Sequence, residues 1–209
     1  MPIPRLTPAG CVLLVIDLQD AFHDHIDDFE RVVVNASILC QAARTLAIPV
    51  IATEQNPQGL GRTVAAVRDS LPPGTPIFEK SKFSAFVPEV SQALHRLGRP
   101  QVVLCGIEAH VCVLQSGLDL LAAGIQCFHA TDAIGAGQPM QIAPAFRRLE
   151  RAGSIPTGTL SCLYELVADA RHPSFRECLA LAKRIRAERC DEKAGLRPPA
   201  APISPSRAP

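Results

Sequence analysis

The chain has 209 residues, a formal net charge of +1 and 47% hydrophobic residues, which indicates one globular domain with a sizeable buried core. The near-neutral charge argues against a general nucleic-acid binder, because phosphate recognition usually needs a clustered surplus of Lys and Arg. The longest apolar runs are too short to cross a bilayer, and the N-terminal segment lacks the apolar region of a secretory signal. We therefore expect an intracellular protein, with the cytoplasm as the predicted compartment and a mitochondrial address as the alternative.

Short apolar runs alternate with helical patterns along most of the chain. In chain order, the predicted elements are strand 11–17, helix 29–47, strands 49–53 and 76–80, helix 87–98, strand 101–107, a helix from Cys112 to Gly124, strand 126–133, a helix around 141–153, strand 154–158, and helices 161–170 and 175–189. This alternation predicts a three-layer α-β-α fold, Rossmann-like, with a central, mostly parallel six-stranded sheet.

Residues 1–190 are predicted to form a single domain, since no repeat or second domain is visible. From Asp191 to the last residue the chain is rich in Pro and Ala and has almost nothing to bury. We expect residues 191–209 to be a flexible tail.

The eight cysteines do not form a disulfide or zinc pattern. No C-x-x-C pair is present, and most cysteines fall in apolar periodic segments, where a free Cys behaves as a small hydrophobe. A chain of this length needs no covalent cross-links, so we expect free thiols in a reducing compartment.

Three reactive side chains follow three predicted strands. Asp17 ends the first strand, Lys80 ends the third, and Cys112 comes just after the fourth, where a helix begins. The carboxyl ends of parallel strands meet at one edge of a sheet, which is where such folds bind ligands. A thiolate favoured by a nearby ammonium and a helix N-terminus is a nucleophile, and a carboxylate can move its proton.

Each of these residues also has a structural interpretation. A Cys at a helix start often packs in the core, an Asp at a strand end often caps a helix, and a Lys there is usually solvated. Their joint placement at one sheet edge leaves the catalytic and the structural interpretation open.

Four sequence blocks resemble the isochorismatase-like cysteine hydrolases. They are "VIDLQDAF" (15–22), "EKSKFSAF" (79–86), "GIEAHVCVLQSGLDLLAAG" (106–124) and "TDA" (131–133). With "TEQNPQGLG" (53–61), the chain looks closest to the isochorismatase-domain-containing subgroup, whose substrate is generally unassigned. The resemblance covers about residues 10–170 and implies a hydrolase with an Asp-Lys-Cys triad.

By motif, the resemblance makes Asp17 the general acid/base, Cys112 the nucleophile and Lys80 the triad lysine, with Lys82 as the alternative lysine. It also implies a cis peptide between Ile107 and Glu108, which turns the backbone N–H groups of Glu108 and Cys112 toward an oxyanion. Nothing in the residue spacing demonstrates this cis bond.

The resemblance implies no cofactor. The metal site of related nicotinamidases uses several His near the second strand, and "ATEQNPQGLGRTV" contains none, so we expect no metal. The "HDH" segment (23–25) is a weak metal candidate, and a solvated loop is the favoured interpretation.

The predicted substrate contacts are Gln19, Phe22, Gln55, Phe86 and His110, with packing or surface turns as the alternative for each. The predicted activity is hydrolysis of a small molecule at an amide-type C–N bond through a Cys thioester. An isochorismatase-type vinyl-ether hydrolase and a non-catalytic binding protein are the alternatives. We expect no nucleic-acid or membrane partner, and a homo-oligomer, a dimer or tetramer. The helix after Cys112 is its candidate interface, and burial in the chain's own core is the alternative.

Overall fold

A computed structural model describes residues 3–195 of the chain, with side-chain surroundings given up to residue 185. The strands are β1 (Cys11–Ile16), β2 (Val50–Gln55), β3 (Ile77–Lys80), β4 (Gln101–Gly106), β5 (Gln126–Ile134) and β6 (Ile155–Thr157). The helices are α1 (Phe29–Thr45), α2 (Pro57–Leu60), α3 (Ala65–Arg68), α4 (Pro88–Leu97), α5 (Leu114–Ala122), α6 (Ile142–Ala152), α7 (Thr159–Val167) and α8 (Phe175–Gly195). A π-helical turn, Ala109–Val113, leads directly into α5.

The six strands form one sheet in the order β3-β2-β1-β4-β5-β6, and every neighbouring pair is parallel. This confirms the predicted α/β fold with a central six-stranded sheet. The chain winds outward from β1 in one direction to β3 and then crosses back to β4 on the other side of β1. The crevice between the carboxyl ends of β1 and β4 is therefore the switch point at which such sheets bind ligands.

Both faces of the sheet are covered, because alternate residues of each strand enter two separate apolar clusters. On one face, Leu13 and Val15 pack with α1, α7 and α8. On the other, Leu14 and Ile16 pack with α4, α5 and α6. All six residues of β1 are buried, which explains why this strand reads as a continuous apolar run instead of an alternating one.

Helix α5 contributes to the second cluster. Leu114 and Leu120 are buried by the chain's own residues. A side-chain carbon at Gly117 would lie 2.5 Å from Leu149 of α6, so the two helices pack closely at this glycine. Core burial thus accounts for Leu114 and Leu120, whereas Leu118 and Leu121 of the same helix are partly buried.

Two regions differ from the sequence prediction at their boundaries. The last helix continues to Gly195, into the segment predicted as a tail, and the rest of that predicted tail, 196–209, lies outside the described residues. The short helices α2 and α3 fall in a segment for which no element was predicted.

Pro144 lies in the first turn of α6, where a helix tolerates proline because the missing N–H has no partner there.

Candidate active site

Asp17 and Gly106 bring the ends of β1 and β4 close together at the switch point. Asp17 is the first residue after β1 and has a left-handed backbone, with φ of 53°. Gly106 has φ of 120°, and a side-chain carbon there would lie 2.0 Å from the carbonyl oxygen of Ile16. Only glycine allows the two strands to approach in this way, and the peptide that follows, Ile107–Glu108, is cis. The cis peptide that the resemblance implied between these two residues is thus present.

The three predicted reactive side chains meet at this edge. Lys80 Nζ lies 2.6 Å from Asp17 Oδ2, with the Lys80 side chain 0% and the Asp17 side chain 1% exposed. The same Nζ lies 3.8 Å from Cys112 Sγ. Lys82, the alternative lysine, is exposed and meets the site only through its carbonyl oxygen, 3.1 Å from Lys80 Nζ. The structure therefore brings Lys80, and not Lys82, together with Asp17 and Cys112.

Burial dominates the electrostatics of this group. It raises the pKa of the Asp17 carboxyl above its ordinary value, while the charge of Lys80 and a 2.8 Å hydrogen bond donated by Thr53 Oγ1 act in the opposite direction. Burial also raises the pKa of the Cys112 thiol to about 12, and the negative charge of Asp17 adds to this rise. Lys80 and the backbone N–H of Glu108 oppose it without cancelling it.

The expectation that Lys80 and a helix start favour a resting thiolate is therefore wrong. Cys112 is the fourth residue of a buried π-helical turn, and the loss of water around the sulfur outweighs the attraction of the ammonium. A thiol with a pKa of about 12 is almost entirely protonated at neutral pH. Any nucleophilic role of Cys112 would therefore require the loss of this proton, and Asp17 is a carboxyl group beside it.

Gln19 and Gln55 lie beside this group but are engaged with the protein. Gln19 is fully buried, and its Nε2 donates to the carbonyl oxygens of Gln55 and Gly61 at 3.0 and 2.8 Å. Its Oε1 accepts the backbone N–H of Gln55 at 2.7 Å. Gln55 Oε1 accepts from Lys80 Nζ at 2.6 Å, and Gln55 Nε2 donates to the carbonyl of Ser81 at 2.8 Å. This geometry favours a positioning role for both amides over the predicted contact with substrate.

The other predicted contacts lie at different places. Phe22 packs against the cluster on the α1 face of the sheet. Phe86 lines a groove between α4 and the end of α5 that does not include any of the three reactive residues. His110 is partly exposed, and its Nδ1 lies 3.5 Å from Glu108 Oε2. Of the predicted contacts, His110 is the one nearest to Cys112 along the chain.

Two supporting residues were not singled out from the sequence. Thr53 binds the second carboxylate oxygen of Asp17, and its strand neighbour there is Ile16. Ser116 Oγ donates to the carbonyl of Cys112 at 2.6 Å and accepts the backbone N–H of Ala85 at 2.7 Å. It thereby links the segment after Lys80 to the helical turn that carries Cys112. The place of Thr53 at the end of the predicted strand 49–53 was the only signal for it, and nothing local marked Ser116.

The part of the chain with described side chains shows how the cysteines and the possible metal ligands are placed. Seven cysteines there are free and buried, as expected for thiols that pack as small hydrophobes. Among the same residues, no group of three or more His, Cys, Asp or Glu side chains has the arrangement of a metal site. None of the helices within 3–195 is both long and apolar enough to cross a membrane.

A parallel α/β sheet with a buried carboxylate, ammonium and thiol at its switch point is the arrangement that the sequence blocks implied. The profile of the isochorismatase domain matches residues 11–160, and the chain belongs to the isochorismatase family of hydrolases. It is 41% identical to isochorismatase domain-containing protein 2 of Danio rerio, over 84% of this chain and 88% of that protein.

Two further similarities extend this result. Isochorismatase domain-containing protein 1 of Danio rerio is 39% identical over 86% of this chain. The matched part covers 63% of that relative's length. The solved structure of the MAR1 ribonuclease from Caenorhabditis elegans superposes with a TM-score of 0.83 at 35% identity, covering 98% of this chain and 100% of that one.

Proposed function

We propose that this protein hydrolyses a small molecule at an amide-type C–N bond, with Cys112 as nucleophile, Asp17 as general acid/base and Lys80 as the cation that holds them. The observation that carries the proposal is the buried ion pair of Lys80 and Asp17 at 2.6 Å, with Cys112 Sγ 3.8 Å from the same nitrogen. A buried ion pair is weak evidence for stability, since removal from water offsets much of its attraction. Its position beside a thiol at the switch point supports a catalytic role.

The proposed reaction needs only water as a second reactant. Asp17 takes the thiol proton as Cys112 Sγ bonds to the carbonyl carbon, and the π electrons of the carbonyl move to its oxygen. Backbone N–H groups of Glu108 and Cys112 are the proposed donors to this oxyanion. The carbonyl re-forms as the C–N bond breaks, and the amine leaves with the proton from Asp17. Water then attacks the thioester and gives its proton to Asp17, which returns it to the departing thiolate.

The raised pKa values fit this cycle. A thiol that is neutral at rest is protected from chance alkylation and oxidation, because the thiolate is the reactive form. A carboxyl whose pKa is raised by burial accepts and returns a proton more readily than an ordinary Asp. Lys80 stays beside both and offsets the negative charge that moves between oxygen and sulfur.

A substrate panel tests the proposal. Purified protein is assayed with small amides, ureides, isochorismate and a short RNA, beside Cys112→Ala and a control, Cys127→Ala. Cys127 is also buried and belongs to the same apolar cluster as Cys112, so it is a control for the structural cost of losing a buried thiol. We expect turnover of an amide or ureide that Cys112→Ala abolishes and Cys127→Ala retains.

The other outcomes favour the alternatives. Isochorismate turnover that survives Cys112→Ala would support a vinyl-ether hydrolase, and binding without turnover would support a scaffold protein. RNA is included because of the name of the Caenorhabditis elegans relative. The net charge of +1 and the burial of Cys112 favour a small substrate over a polyanion.

Assembly and location are part of the same proposal. We expect a dimer or tetramer in an intracellular compartment. Light scattering after size-exclusion chromatography tests the first, and a strict monomer would refute it. Microscopy of the tagged protein in its own cells tests the second.

A further inference from the structure

We infer that Gln19 and Gln55 are positioning residues, a pair of amides that fixes the Lys80 ammonium between Asp17 and Cys112. The inference rests on the proposed function for its catalytic meaning. Gln55 and Lys80 are register partners at the ends of β2 and β3, and side chains of such partners lie on the same face of a sheet. The fold therefore places an amide directly beside the lysine.

Lys80 Nζ has more oxygen neighbours than hydrogens. Asp17 Oδ2 and Gln55 Oε1 both lie at 2.6 Å, and the carbonyl oxygens of Lys82 and Phe83 both lie at 3.1 Å. An ammonium has three N–H donors. The two short contacts, one charged and one neutral, set the direction of the Nζ group, and the sulfur at 3.8 Å is left as the more distant neighbour.

Gln55 is itself held from two sides. Its Nε2 donates to Ser81, and Gln19 bonds both its backbone N–H and its backbone carbonyl. Gln19 has no exposed surface, and its remaining bond goes to Gly61 at the end of α2. A chain of hydrogen bonds thus runs from the segment after β1 through the end of β2 to Lys80 and leaves Gln19 with no surface to offer a substrate.

The neutral charge of position 55 matters for the proton transfer. With an amide there, Asp17 is the one carboxylate bonded to Lys80 among the residues with described side chains, and we infer that it receives the thiol proton. The nearby Glu54 and Glu79 are also register partners, but they lie on the opposite face of the strands, where Arg62 bonds both at 2.9 and 2.7 Å.

The test compares Gln55→Met and Gln55→Glu with the unaltered protein and with Gln41→Met. Gln41 is on α1 and bonds Ser70 and Arg184, away from the site, so Gln41→Met matches the loss of an amide. With a substrate found by the panel, Gln55→Met is expected to lower kcat at least tenfold at every pH while KM changes less than threefold. Gln55→Glu keeps an oxygen acceptor for Lys80 but adds a carboxylate beside the site. Because this negative charge makes loss of the thiol proton harder, its kcat is expected to be low at neutral pH and to recover as pH rises. A raised KM with unchanged kcat would instead identify Gln55 as a substrate contact and overturn the inference.

A second measurement needs no substrate. The rate of Cys112 alkylation by iodoacetamide is measured between pH 6 and 10 by peptide mass spectrometry. The added carboxylate of Gln55→Glu is expected to shift the rate profile at least one pH unit upward, which is about a tenfold lower rate at a fixed pH. An unshifted profile would overturn the inference. If no substrate is turned over, the proposed function fails while this measurement still decides the role of Gln55.

Discussion

Replacing Lys80 by Met is the sharpest perturbation of the site, because it removes the cation that is paired with the buried carboxylate of Asp17. Asp17 is 1% exposed, and its Oδ2 faces Lys80 Nζ at 2.6 Å. Breaking a buried pair by removing one partner costs about 3–5 kcal/mol, since the remaining charge loses its compensation. Met has nearly the length of the aliphatic part of Lys, so the change leaves little cavity.

The cost of Lys80→Met is expected to depend on pH. Lys80 lowers the pKa of Asp17, and burial raises it, so without Lys80 the folded-state pKa lies further above the unfolded value. The unfolded chain then gives up the proton of this carboxyl first. The free energy of unfolding of Lys80→Met therefore falls as pH rises from about 4 toward neutral. At acid pH, where Asp17 is protonated in both states, most of this destabilisation disappears.

Urea denaturation of the unaltered protein, Lys80→Met, Asp17→Asn and the double variant at pH 5 and pH 8 measures this effect. We expect Lys80→Met to lose about 3–5 kcal/mol at pH 8 and clearly less at pH 5. The double variant should recover part of the loss, because no uncompensated carboxylate remains. Equal stability of Lys80→Met at both pH values, or additive losses in the double variant, would refute the reasoning.

Three further predictions concern the scaffold. Burial lowers the pKa of His129 to about 4, below the value of about 6.5 in the unfolded chain, so the free energy of unfolding falls by up to about 3 kcal/mol as pH drops through this window. The His129→Phe variant should therefore show urea midpoints that change less between pH 4 and 6.5. An unchanged slope of midpoint against pH would contradict this. Gly106→Ala should lower the free energy of unfolding by more than about 3 kcal/mol or prevent folding, because the added carbon would lie 2.0 Å from the carbonyl oxygen of Ile16. A thermal midpoint within about 2 °C of the unaltered protein would be incompatible with this strand contact. Asp132→Ala should lower the free energy of unfolding by about 1 kcal/mol, since Asp132 Oδ1 accepts the backbone N–H of Thr159 at 2.7 Å and so satisfies a free donor at the start of α7. An unchanged thermal midpoint would argue against a stabilising role of this hydrogen bond.

Most of the fold was predictable from local patterns, because the central strands are short apolar runs and the longer helices have their own periodicity. The short helices α2 and α3 were not predicted. The alternation of strands and helices predicted a parallel sheet, and the shared edge of its carboxyl ends predicted that Asp17, Lys80 and Cys112 lie together. The order of the strands within the sheet is a finding of the structure. The choice of Lys80 over Lys82 followed from the motif and agrees with the observed burial.

The remaining features depend on distances that a sequence does not contain. Gln19 and Gln55 look like polar residues near strand ends. Only the structure shows that Gln19 bonds the backbone of Gln55 and that Gln55 lies beside Lys80 in the register of β2 and β3. The high pKa of Cys112 follows from how completely the surrounding residues exclude water from its sulfur. The position of Cys112 after a strand suggested the opposite shift, because the helix start is visible in the sequence and the depth of burial is not.

Rapid-quench mass spectrometry during turnover of an amide substrate tests the central claim most directly. The account predicts an acyl group on the peptide that carries Cys112, formed before hydrolysis and absent in Asp17→Asn at the same time points. Acylation of a different residue, or product formed at the normal rate with no acyl intermediate in Cys112→Ala, would contradict it.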